Sequence, residues 1–184
     1  MAQIVTSASQ TELWHELVRE GEDRAHARLN EDAESYLVFT LMRHSRDTPL
    51  AHRTMALELL EALQREGRVR EQDLRDVGDR CLLIAGFYPE LAQRRRVPLS
   101  YFVELGRSAY GQLGEELRAA LAALYAGLAR GFGDLVRVLL EVRRLSGEWT
   151  GPDAFARHEL ALVSPPPRSG RASALAISGN ARRH

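Results

Sequence analysis

The chain has 184 residues, about the size of one ordinary domain, and carries 25 basic and 25 acidic residues for a formal net charge of zero. Every basic residue is arginine, which excludes a Schiff-base lysine, a Walker A lysine and a kinase-type phosphate-pairing lysine. The single cysteine, Cys81, excludes an internal disulfide and any zinc site built from paired cysteines.

Residues 1–10 have neither the basic n-region nor the apolar run of a signal peptide, and no window approaches the roughly 18 uncharged apolar residues of a membrane span. A cytoplasmic protein with no membrane partner is the expectation. A short helix is predicted over 11–19. Residues 31–44 form a second, with Tyr36, Leu37, Thr40, Leu41 and His44 on one side. A third runs over about 50–66, capped by Thr48 with Pro49 at its first position, and buries Met55, Ala56, Leu59, Leu60 and Leu63.

Over 73–86 the positions Leu74, Val77, Gly78, Cys81, Leu82 and Ala85 complete an i, i+3, i+4, i+7, i+8, i+11 stripe, with Gly86 as C-terminal cap. The next helix starts after Pro98 with Ser100 as N-cap. Its stripe of Phe102, Leu105, Gly106, Ala109 and Leu113 continues as Leu117, Leu121, Leu124 and Leu128, bent or divided at Gly111 and Gly114. After Gly131-Phe132-Gly133, Asp134 caps a helix whose stripe is Leu135, Val138, Leu139, Val142 and Leu145. A short helix over 153–162 completes the count, and no strand alternation appears. The fold class is therefore all-α: a single compact bundle of six or seven helices, with residues 1–163 as the domain. Residues 164–184 are rich in Pro, Ser and Gly and hold four arginines and no acid, so a disordered basic tail is expected there. The body then holds 21 arginines against 25 acids.

Motifs that carry chemistry are sparse. A di-iron bundle needs two Glu-x-x-His pairs, and Glu12-Leu13-Trp14-His15 is the one present. His44 stands at a helix C-terminus, where the macrodipole accounts for it, and His52 across the turn adds no third ligand. Gly106-Arg107-Ser108-Ala109-Tyr110 misses the last glycine of a nucleophile elbow and has no strand before it. Gly131-Phe132-Gly133 follows a helix, so it is a helix break rather than a dinucleotide fingerprint. Cys81 lies on an apolar face and reads as packing. Arg94, Arg95 and Arg96 form the densest basic run, without the broad basic face or stacking aromatics that nucleic-acid binding needs. No cofactor, no metal and no nucleic acid are expected.

The stretch 78–110 is least like generic bundle sequence. Phe87, Tyr88, Tyr101, Phe102 and Tyr110 cluster there, with Asp79 and Arg80 beside Gly78 and Glu90 after Pro89. An aromatic, Gly-marked turn between helices suits a pocket or a partner surface, or an aromatic plug closing one end of the bundle.

The pairs Gly78-Asp79, Gly86-Phe87, Tyr101-Phe102, Leu105-Gly106 and Ala109-Tyr110, with Val97 between them, resemble the GD, GF, V, aromatic-pair, LG and AY pattern of an uncharacterised family of bacterial all-helical proteins. Glu34-Ser35-Tyr36-Leu37 resembles an upstream element of that family. The resemblance spans residues 30–130, with Pro98-Leu99-Ser100 standing where acidic residues often precede the aromatics. It implies a helical fold and no activity, cofactor or catalytic residue.

Two functions fit. One is a non-enzymatic interaction or regulatory module that binds a protein partner, a second copy included, through Phe87, Tyr88 and Tyr101. The other is a small-molecule-binding protein or enzyme with a pocket inside the bundle, lined by Tyr36, Asp79, Arg80, Glu90, Tyr101 and Tyr110.

Overall fold

The computed structural model describes residues 2–46 and 54–146, with side chains over 11–44 and 54–146. It is all-α. Eight helices lie among the described residues: α1 (Ala2–Ala25), α2 (Glu31–Arg46), α3 (Met55–Leu63), α4 (Gly67–Gly86), α5 (Pro89–Arg94), α6 (Leu99–Glu116), α7 (Ala119–Arg130) and α8 (Phe132–Leu145).

Helix α4 is the axis of the bundle and packs against α3, α5, α6 and α8. The reason is in its composition. Leu74, Val77, Gly78, Cys81, Leu82 and Ala85 are buried as their spacing predicts, and Leu83, Ile84 and Gly86 are buried as well. The C-terminal half of α4 is thus enclosed on nearly every side, and each buried branched side chain contributes roughly 1.5–3 kcal/mol of transfer free energy. Helix α8 lies against α1 and α4 and buries Leu135, Val138, Leu139 and Val142.

Close approach between these helices depends on small residues. A Cβ on Gly86 would stand 2.6 Å from Leu139 Cβ, and one on Gly21 would stand 2.9 Å from Val142 Cγ2. Gly86 is the last residue of α4 and carries no positive φ, so it is a packing residue rather than the conformational cap its position suggests. The left-handed C-caps fall elsewhere. His26 (φ 49°) and Arg96 (φ 55°) both follow helix ends closed by paired bonds, Ala27 N–H to Glu22 O after α1 and Val97 N–H to Ala92 O after α5.

Several expectations are corrected. Among the described residues there are eight helices rather than six or seven, because α5 occupies the supposed linker and the long run past Pro98 is two helices. It divides at Leu117-Arg118, not at Gly111 or Gly114, which stay inside α6. Helix α1 runs to Ala25, well beyond the short helix predicted over 11–19. Pro98 and Gly131 take the N-cap positions given to Ser100 and Asp134, and Asp134 lies within the first turn of α8. On α3, Met55 and Leu59 are buried as expected, but Leu60 faces water and Ala62 takes its place inside. The expected cap Thr48, His52, the helix over 153–162 and the tail over 164–184 lie outside the described residues.

Among the described residues no single helix is long and apolar enough to cross a membrane. Helices α7 and α8 would reach that length only together, and they are bent by 71° at their junction.

Candidate functional site

Asp79 is the centre of the one polar cluster that draws on four described helices. It is 1 % exposed and sits on α4 between α2, α6 and α7. The Tyr36 hydroxyl from α2 donates to Oδ1 at 2.6 Å, and the Tyr110 hydroxyl from α6 donates to the same oxygen at 2.8 Å. Arg43, also on α2, donates through Nη2 to Oδ2 at 2.8 Å. That nitrogen also donates to Asp76 Oδ1 at 2.8 Å, where the cluster opens to solvent. Helical spacing produces the arrangement. Tyr36 and Arg43 are seven residues apart on α2, and Asp76 and Asp79 are three apart on α4, so each pair shares a face.

Tyr125 of α7 completes an aromatic triangle. Ring centroids are 5.9 Å apart for Tyr36 and Tyr110, 5.7 Å for Tyr36 and Tyr125, and 5.8 Å for Tyr110 and Tyr125. The first two pairs meet edge to face, a favoured geometry for ring quadrupoles. The Tyr125 hydroxyl lies within hydrogen-bonding reach of Tyr36 and of Arg75 on α4. Gly78 makes room for the triangle, since a Cβ there would fall 2.3 Å from Tyr110 Cε1.

Burial governs the ionisation of the cluster. Burial pushes the Asp79 carboxyl above its ordinary range, against the opposing pull of the Tyr36 and Tyr110 hydrogen bonds and the Arg43 charge. Tyr36 and Tyr110 are pushed well above their ordinary value by the same desolvation, reinforced by nearby Asp79. Their hydroxyls are therefore held as donors, and no phenolate is available as a nucleophile. His44 is half-buried, its Nδ1 3.0 Å from Thr40 O, and burial lowers its pKa.

The eight residues singled out from the sequence fall into five places. Tyr36, Asp79 and Tyr110 come together. Arg80 points to the other side of α4, where Nη1 lies 2.7 Å from Glu58 Oε2 on α3. Glu90 on α5 pairs with Arg143 of α8 at 3.0 Å. Tyr101 is half-buried and stacks edge-on against Phe102 at 5.2 Å. Phe87 and Tyr88, proposed as contact surface, are 3 % and 6 % exposed and meet edge-on at 5.0 Å. They are core side chains at the α4–α5 turn, not an exposed surface. Cys81 is buried, and desolvation pushes its thiol up to about 12.

Arg43, Asp76, Arg75 and Tyr125 escaped the sequence reading. Asp76 lies on the side of α4 opposite the stripe read from the sequence, so helical spacing gave no signal for its pairing with Arg43. Tyr125 was hidden by treating α6 and α7 as one continuous stripe.

Glu12 and His15 do not form a pair. His15 Nδ1 lies 3.1 Å from Glu34 Oε1, which Arg19 Nε also reaches at 3.1 Å. Among the described residues no three His, Cys, Asp or Glu side chains come together as a metal-binding group.

The motif pairs Gly78-Asp79 and Ala109-Tyr110, together with Tyr36, thus meet at one hydrogen-bonded cluster. No family model, curated protein or solved structure matches the chain, so the roles of these residues rest on their contacts alone.

Proposed function

We propose that the chain is a non-enzymatic helical interaction module whose contact surface is the outer face of α3. One observation carries this reading: Leu57 and Leu60, one turn apart, are 58 % and 56 % exposed on a nine-residue helix that buries its opposite side. Apolar side chains paired on one exposed face are what a partner helix or groove would cover. The polar cluster supports the same reading from the other direction. Asp79 has both oxygens engaged within the chain, and the tyrosines around it are neutral donors, which leaves the α2–α4–α6–α7 junction suited to hold a shape rather than to turn over a substrate.

The test is the double variant L57E/L60E beside the wild-type chain. Circular dichroism and urea denaturation should be unchanged, because both positions are on the surface. In cross-linking followed by mass spectrometry, and in sedimentation velocity for self-association, the variant should lose the partner or second copy that the wild type retains. A variant that keeps every cross-link and the same sedimentation profile overturns the assignment of α3.

A ligand inside the bundle is the second reading, favoured by the convergence of Tyr36, Asp79 and Tyr110. A thermal shift on adding a metabolite, abolished in Y110F, would support it.

A further inference from the structure

We draw no further inference here: the strongest candidate, the solvent-facing mouth of the Asp79 cluster where Arg43 lies between Asp76 and Asp79 near His44, belongs to the site already described, and a switch built on it would rest on titration alone.

Discussion

The ring of Tyr110 occupies the space that a side chain on Gly78 would need: Cε1 and Cδ1 lie 2.3 Å and 2.5 Å from the position of its missing Cβ. The ring has no freedom to retreat, because Tyr110 is fully buried, packs against Phe132 at 5.7 Å between ring centroids, and is held by its bond to Asp79.

Gly78→Ala is expected to destabilise the fold by about 1–2 kcal/mol. Overpacking costs roughly 1–3 kcal/mol and outweighs the gain in helix propensity. Gly111 and Gly127 are the controls, since a Cβ at either meets nothing within 4 Å. There the propensity term acts alone, and Gly→Ala should stabilise by about 0.5–1 kcal/mol. Urea titrations of the three variants check both signs, and a stabilised Gly78→Ala would contradict the packing described.

Removing the Asp79 carboxylate leaves two buried hydroxyls and Arg43 without their acceptor. Asp79→Ala should cost about 3 kcal/mol, most of it from Tyr36 and Tyr110, because solvent can rehydrate the Arg43 guanidinium. Asp79→Asn keeps an oxygen for the tyrosines and loses the ionisation. Because burial raises the folded-state pKa of Asp79 above the unfolded value, its titration adds stability as pH falls through the folded pKa and removes it as pH rises. The difference in stability between wild type and Asp79→Asn should therefore shift in favour of wild type on going from pH 7 toward pH 4. Chemical denaturation at fixed pH steps measures it.

His44 has the opposite sign. Burial lowers its folded-state pKa below the ordinary 6.5, so the neutral ring stabilises the fold above that value and the contribution is lost as pH falls through it. His44→Gln should make the chain less sensitive to acid over the window just below pH 6.5. An NMR titration of the His44 ring should give a midpoint below the free-histidine value, and a midpoint above it would contradict the burial.

The Cys81 thiol should be silent toward Ellman's reagent in the folded protein at pH 8. Its pKa is raised to about 12 and its side chain is enclosed between α4 and its neighbours. Reactivity should appear in step with urea unfolding, and an immediate reaction under native conditions would show that this part of the core opens.

How much was legible follows from where periodicity holds. The stripes of α4 and α8 hold, apart from Leu145 at the end of α8, because each helix is uninterrupted and its apolar face meets the core along most of its length. The stripe extended into α7 holds only in part: Leu128 is buried and Leu117 and Leu124 pack against the core, but Leu121 does not. A break at Leu117-Arg118 resets the helical phase, so Leu121 is 54 % exposed and Tyr125 is buried in its stead. On α3 nearly every position is apolar, and hydrophobicity alone could not say which side packs on α4 and α6. Phe87 and Tyr88 show the same limit, since an aromatic pair beside a glycine turn reads equally as surface or plug.

Composition and a period of 3.6 within one segment suffice for the class of fold, the exclusion of lysine and disulfide chemistry, and the central helix with its small residues. Tertiary structure alone decided that Tyr36, Arg43, Asp79, Tyr110 and Tyr125 form one cluster and that Arg80 and Glu90 belong to other pairs. Helical spacing settles which face a residue occupies. Which neighbour that face meets depends on how the helices pack, and a buried carboxylate reaches its donors only through that packing.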